Sequence, residues 1–116
     1  MAQRHILFTV NHAPFGSIFY TEGLRAVLGA TSGTDEHTVD VVYLGDGAYF
    51  GLKKVNRADS VKYIHTLGES GYRLKVEHES LAARGIAAEE VADDIEVISR
   101  DAVGELLTQA DFTVGF

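Results

Sequence analysis

The chain has 116 residues, contains no cysteine and carries a net charge of −7. This length predicts one domain over residues 1–116, and the missing thiols exclude disulfides, cysteine metal sites and a persulfide on this chain. Its negative charge repels phosphate backbones, so we expect no direct binding of nucleic acid. We find no signal-peptide pattern and no run of about 18 apolar residues. We therefore expect a soluble cytoplasmic protein that does not contact the membrane.

The first half of the chain alternates between strand and helix patterns. A nearly continuous apolar run at His5–Val10 predicts a buried strand, and a loop at 11–16 follows it. Residues 17–30 predict a helix that a serine begins. The β-branched residues of 38–44 predict a second strand, which opens into a glycine-rich loop at 45–51.

The second half continues this alternation to the end of the sequence. Its predicted elements are a helix at 59–67 with Asp59 as cap, a strand at 72–77, a helical turn at 80–84, a strand at 95–98, a helix that starts at Ser99 and Asp101, and a strand at 111–116. The strand at 72–77 alternates polar and apolar residues, which favours a place nearer the sheet edge. The spacing of the apolar residues in the last helix predicts one buried face, made of Val103, Leu106, Leu107 and Ala110.

Strands that alternate with helices predict an α/β fold. We expect a single three-layer domain with a mostly parallel five-stranded sheet and helices on both faces, in a flavodoxin-like architecture. Ligands of such sheets bind beyond the carboxyl ends of the strands. The loops at 11–16, 45–51 and 77–85 form that edge, so we expect the functional residues there.

The glycine-rich loop has the pattern Gly45-x-Gly47-x-x-x-Gly51. Its spacing is one residue too long for a dinucleotide fingerprint, and the loop follows the second strand, whereas the fingerprint follows the first. Glycines at these positions are better explained by a tight turn and close backbone packing. We expect no bound cofactor.

Eight residues of the carboxyl edge are candidates for an interface or a ligand site: Asn11, His12, Phe15, Asp46, Tyr49, Phe50, Glu77 and His78. The aromatic pair at 49–50 is typical of an interface anchor, but both rings can equally well be core residues. His12, Glu77 and His78 would form a metal or acid–base site only if the fold brings them together. No histidine pair has the spacing of a helical metal site, so we expect no bound metal.

Four segments resemble the DsrE/DsrF-like sulfur relay family, in order and over essentially the whole chain. They are residues 11–17 with 22–24, residues 44–47, residues 80–85, and residues 110–116, which end on Phe116. The resemblance implies a small α/β protein that assembles into trimers or hexamers. It also implies a link to three-component complexes, DsrEFH in sulfur oxidation or TusBCD in tRNA thiolation.

The resemblance further implies that this chain has lost the family's reactive sulfur. In the DsrE/TusD-type subunit a cysteine after the third strand carries the persulfide, and its position falls at Glu77. A second cysteine of some homomeric members would fall at Ser80. The stretch 76–85 is most similar to the DsrF/TusC-type subunit. This implies a non-catalytic subunit that supports partners of the DsrE/TusD and DsrH/TusB types.

Two alternatives stay open at the level of sequence. One is a stand-alone homo-oligomer that binds a small ligand or a metal at His12, Glu77 and His78. The other is an enzyme in which Glu77 acts as a general base, which requires that the fold remove this carboxylate from water.

Overall fold

The computed structural model describes residues 4–12, 25–27, 29–31, 37–53, 61–69, 71–72 and 74–116. The elements in chain order are β1 (His5–Val10), β2 (Thr38–Tyr43), a 3-10 turn (Gly45–Gly51), α1 (Val61–Glu69), β3 (Leu74–Glu77), α2 (His78–Ala83), a second 3-10 turn (Ala88–Glu90), β4 (Ile95–Ile98), α3 (Arg100–Gln109) and β5 (Phe112–Gly115). Residues 25–27 and 29–31 are also helical.

The five strands form one sheet in the order β4-β3-β2-β1-β5, and every neighbouring pair is parallel. The prediction of an α/β fold with a mostly parallel five-stranded sheet is therefore confirmed. The strand order differs from the 2-1-3-4-5 order of flavodoxin itself. The order reverses between β1 and β5, because β1 to β4 follow one another in one direction and β5 returns to the far side of β1.

The larger part of the core lies on one face of the sheet. Strand residues such as Phe8, Val41 and Val76 pack there with Leu67 of α1 and Leu81 of α2. All five are at most 4% exposed, as expected for the inner strands of a parallel sheet. This face therefore carries the helices that connect β1 to β4.

The opposite face is covered by α3. Val103 packs against Leu7 and Val42, with Leu106 and Ala110 alongside. Helices on both faces of the sheet are thus confirmed. Leu107, which the helical spacing places on the same face, is 47% exposed. Its predicted burial was wrong, because the face of α3 that packs against the sheet consists of Val103, Leu106 and Ala110.

The element boundaries follow local signals closely. Ser99 caps α3, and its hydroxyl accepts a hydrogen bond from the Ala102 amide at 3.1 Å. β3 lies one strand in from the sheet edge, between β2 and β4. Helix α1 continues through Gly68 to Glu69, two residues beyond the predicted end.

None of the described helices is long and apolar enough to cross a membrane.

Some predictions concern residues outside the described part of the chain. These are the helix start at Ser17, the candidate site residue Phe15 and the helix cap at Asp59.

Candidate functional site

The carboxyl edge is built where β2, β3 and β4 end. We use this name for the 3-10 turn Gly45–Gly51, the segment 77–85 that contains helix α2, and the first turn of α3. The 3-10 turn packs directly against the end of β1, because a Cβ atom on Gly47 would lie 1.8 Å from the Val10 carbonyl oxygen. Gly45 has a φ of 53°, which favours glycine. Both glycines therefore serve the turn, as the sequence indicates.

Glu77 is the last residue of β3 and is 6% exposed. The Ser80 hydroxyl donates a hydrogen bond to its Oε1 atom at 2.6 Å. The Arg100 guanidinium donates from Nε to Oε2 at 3.4 Å and from Nη2 to Oε1 at 3.3 Å. The buried carboxylate thus has a hydroxyl and a cation as partners, which is what a buried charge requires.

The surroundings of Glu77 determine its protonation state. Burial raises the pKa of this carboxyl, but the hydrogen bonds from Arg100 and Ser80 and the positive charge of Arg100 together lower the pKa below its usual value. Glu77 is therefore ionised at neutral pH. A general base works best when its pKa lies near the working pH, so this arrangement suits an ion pair and not proton transfer.

Further hydrogen bonds tie the three parts of the carboxyl edge together. The Gly45 amide donates to the Ser80 hydroxyl at 2.9 Å, which joins the 3-10 turn to α2. Arg84 donates to Asp46 Oδ1 from Nη2 at 2.8 Å and to the Ser80 carbonyl from Nη1 at 3.1 Å. The Arg100 amide donates to Glu79 at 2.8 Å and so joins α3 to α2. These hydrogen bonds connect the 3-10 turn, α2 and α3 into one surface.

No sequence pattern identifies the basic members of this network. Arg100 lies 23 residues beyond Glu77, and Arg84 lies 38 residues beyond Asp46. The sequence offers only the position of each arginine. Arg100 follows β4, which ends at the carboxyl edge, and Arg84 follows the short helix α2. Of the predicted site residues, Asp46 and Glu77 belong to the network.

The aromatic pair of the 3-10 turn divides between core and surface. Phe50 is 3% exposed, and its ring centroid lies 6.0 Å from that of Tyr43. Tyr49 is half-buried. Phe50 is therefore a core residue and leaves the set of candidate interface anchors, because a buried ring presents no surface to a partner.

The candidate residues His12 and His78 are both exposed, whereas Glu77 is buried. Among the described residues, which include all three, no group of three histidine, cysteine or acidic side chains is placed to hold a metal ion. The fold therefore does not bring these residues together as a metal site.

The remaining candidate, Asn11, lies where the strand order reverses between β1 and β5. Open parallel sheets bind ligands in the crevice at such a point. Here the backbone N–H of Asn11 donates to the Phe116 carbonyl at 2.6 Å, and the backbone N–H of Phe116 donates to the Thr9 carbonyl at 2.8 Å. The Phe116 ring also stacks on Phe8 at 6.5 Å. Asn11 is thus joined to Phe116 at this position.

A surface depression of about 670 Å³ lies at the opposite end of the sheet. It is lined by residues that precede β3 and β4 and by the end of α1, among them Tyr72, Asp94 and His65. The His65 ring pairs with Glu69 of the same helix at 2.9 Å. The carboxyl edge and this depression are therefore separate surfaces.

Comparison with known proteins identifies the family. A model of the DsrE/DsrF-like family matches residues 4–116. The chain belongs to this family. The resemblance of the sequence segments to the DsrE/DsrF-like family is thereby confirmed.

A curated relative and two solved structures agree with this placement. The protein named TusC homolog from Vibrio parahaemolyticus is 31% identical, and the alignment covers all of both chains. The crystal structure of the YchN protein from E. coli matches with a TM-score of 0.82 at 19% identity, over 99% of this chain and 100% of that one. MTH1491 from Methanobacterium thermoautotrophicum, a protein of unknown function, matches with a TM-score of 0.75 at 12% identity, over 98% of this chain and 100% of that one. The two structures support the DsrE/DsrF-like fold alone.

Proposed function

We propose that this chain is a non-catalytic, DsrF/TusC-like subunit of an intracellular sulfur relay complex. Family membership and the TusC-like relative support the coarser statement, that the chain is a sulfur relay subunit. The finer statement is that it holds a partner which carries the persulfide. This partner would be a DsrE/TusD-type subunit, with a DsrH/TusB-type subunit as the third component.

The state of Glu77 is the observation that carries this proposal. This residue stands where the family resemblance puts the persulfide cysteine, and the chain has no cysteine at any position. Ser80, at the position of the second family cysteine, donates to the Glu77 carboxylate. Both positions are therefore used for an internal ion-pair network, and neither carries a nucleophilic sulfur. Sulfur chemistry in such a complex has to belong to the partner.

The ion pairs of the carboxyl edge suit a supporting role. Association costs less when side chains are already ordered before binding. Asp46 and Arg84 are paired, and so are Glu77 and Arg100. A partner that docks on this surface would meet a preformed arrangement, with Tyr49 half-buried at its margin.

Affinity purification from the native host tests the proposal. Tagged protein should recover a cysteine-bearing DsrE-type subunit that mass spectrometry identifies. After exposure to a sulfur donor, the added sulfur should be found on that partner and none on this chain. Recovery of the homo-oligomer alone would count against the supporting role.

A matched pair of variants tests whether the partner docks on the carboxyl edge. Ala82 of α2 and Ala88 of the second 3-10 turn are both exposed alanines, but only Ala82 lies on the carboxyl edge. Ala82→Trp should lower partner recovery about tenfold, which corresponds to about 1.4 kcal/mol of binding free energy. Ala88→Trp should leave recovery unchanged. Equal recovery with both variants would move the docking surface away from this edge.

The burial of Glu77 meets one requirement of the general-base alternative, but the other observations oppose both alternative functions. The described residues offer no three-ligand metal group around Glu77, and the lowered pKa of Glu77 opposes its use as a general base. A metal analysis of the purified protein, with His12→Ala as the comparison, checks the first alternative independently.

A further inference from the structure

The three large apolar side chains that are exposed in the described part of the chain lie in β5 and in the helix before it. Phe112 is 56% exposed and Val114 is 38% exposed, both in β5, while Leu107 of α3 is 47% exposed. All four residues of β5 are exposed, although β5 is a strand of the central sheet. Contiguous apolar exposure marks a contact surface. Phe112 and Val114 are two residues apart in β5 and therefore lie on the same face of the strand.

The backbone of β5 is also open on one side. β5 pairs with β1 and is the last strand in the sheet order, so no strand of the described residues pairs with its outer side. Proteins usually protect a free edge with charged residues, proline or a bulge. The strand Phe112–Gly115 consists of phenylalanine, threonine, valine and glycine, and none of these residues opposes pairing with another strand.

We propose that a second copy of this chain pairs its β5 with this one, antiparallel, across a two-fold axis at Thr113. A two-fold contact uses the same patch on both copies, so the strand must complement itself. Pairing centred on Thr113 places Phe112 opposite Val114 of the second copy, and a large ring then meets a smaller branched side chain. Asp111 falls opposite Gly115, so no like charges face each other.

This self-complementarity is the reason for choosing a second copy as the occupant. The contact would join the two five-stranded sheets into one continuous sheet and would pair the outer backbone groups of both strands. It would also cover Phe112 and Val114 from the side. The inference goes beyond the proposed function and does not depend on it. It concerns β5, which is the outer strand on the other side of the sheet from β4.

The absence of cysteine permits a direct test by cross-linking. Thr113→Cys introduces a single thiol into the full chain at the proposed two-fold axis. Opposite Cα atoms of antiparallel strands lie about 4.5–5.5 Å apart, which is within the range that a disulfide spans. Mild oxidation should therefore give a covalent dimer that reductant reverses. Thr108→Cys, exposed on α3, is the control and should stay uncross-linked.

Sedimentation measurements give a second, independent readout. Val114→Lys should have half the mass of the wild-type assembly, because removing a two-fold contact splits an assembly into equal halves. Thr108→Lys should keep the full mass, and circular dichroism should show that both variants are folded. A monomeric wild-type protein, an unchanged mass for folded Val114→Lys, or no dimer from Thr113→Cys would each overturn the proposal.

Partner recovery separates this inference from the proposed function. Val114→Lys should still recover a DsrE-type subunit from the host if the carboxyl edge binds it. Loss of that partner together with no cross-link from Thr113→Cys would assign the β5 edge to a different protein and overturn pairing between copies. Failure to recover any partner with the wild-type protein would contradict the proposed function. It would not change the conclusion that cross-linking and sedimentation give for the β5 contact.

Discussion

The Arg100 guanidinium holds the buried Glu77 carboxylate, with Nη2 of the arginine 3.3 Å from Oε1 of the glutamate. The carboxylate is 8% exposed and the arginine is 67% exposed, so the pair spans the boundary between the core and the solvent. One end of the pair fixes the end of β3, and the other end belongs to the first turn of α3. The ion pair therefore determines how these two elements meet.

Replacing Glu77 by glutamine should destabilise the protein. The variant keeps the size of the side chain but loses the charge that accepts hydrogen bonds from Ser80 and Arg100, and bonds to a charged group contribute about 1.5–3 kcal/mol. Urea unfolding followed by circular dichroism measures the change. Glu96→Gln on the exposed side of β4 is the control and should stay within about 0.5 kcal/mol of wild type. An equal effect of both variants would contradict a structural role for the pair.

The pH dependence of stability should show the same ion pair. Because the folded protein lowers the pKa of Glu77, the unfolded chain binds a proton more readily than the folded one. The stabilisation is therefore fully present above the ordinary glutamate pKa of about 4.3, and it is lost as the pH falls through the folded pKa. Unfolding free energies from about pH 6 to about pH 3 should converge between wild type and Glu77→Gln. Curves that stay parallel over this range would contradict the assignment.

Two glycine substitutions should have opposite effects. In Gly47→Ala the new Cβ would meet the Val10 carbonyl at 1.8 Å, so the main chain must move at a cost of about 1–3 kcal/mol or more. Gly104 lies inside α3, and a Cβ there would meet nothing within 4 Å. Gly104→Ala should therefore stabilise the helix by about 0.5–1 kcal/mol. Thermal melts of the two variants check both signs, and a stable Gly47→Ala protein would contradict the packing of the 3-10 turn.

The charged residues on the α3 side of the sheet should also contribute to stability. Asp40 of β2 lies 2.6 Å from the His5 ring nitrogen Nε2 and 2.9 Å from Lys75 Nζ. Asp40→Asn removes the charge that both groups face, and we expect a loss of about 1.5–3 kcal/mol in urea unfolding. Asp93→Asn, at a carboxylate that is 99% exposed, is the control and should change stability by less than about 0.5 kcal/mol. Similar losses at both sites would show that Asp40 acts only through the overall charge.

Much of the fold follows from local patterns. The bounds of β1 and β4 and the cap of α3 at Ser99 match the sequence predictions, because strand runs and caps depend on neighbouring residues. The burial of Phe50 did not follow from its neighbours. Aromatic rings in a loop fit both the core and an interface, and only the position of the 3-10 turn against β2 distinguishes the two.

The candidate site also combines residues that the sequence predicts with residues that only the fold identifies. A place for function at the carboxyl ends of the strands follows from the parallel topology, and Glu77 and Asp46 were among the residues expected there. Their partners Arg100 and Arg84 were not, because ion pairs between distant segments leave no periodic or spaced signal. The histidines at 12 and 78 matched a metal hypothesis in the sequence, but the described residues contain no group of three side chains that could hold a metal ion.

The missing thiol is what the sequence by itself determined about the chemistry of this protein. Composition alone excludes a persulfide, and the family resemblance locates the loss at Glu77. Only the tertiary structure decided what Glu77 does instead. A carboxylate at the end of a strand can be a base, a metal ligand or half of an ion pair, and burial beside Ser80 and Arg100 stabilises its charged form and selects the ion pair.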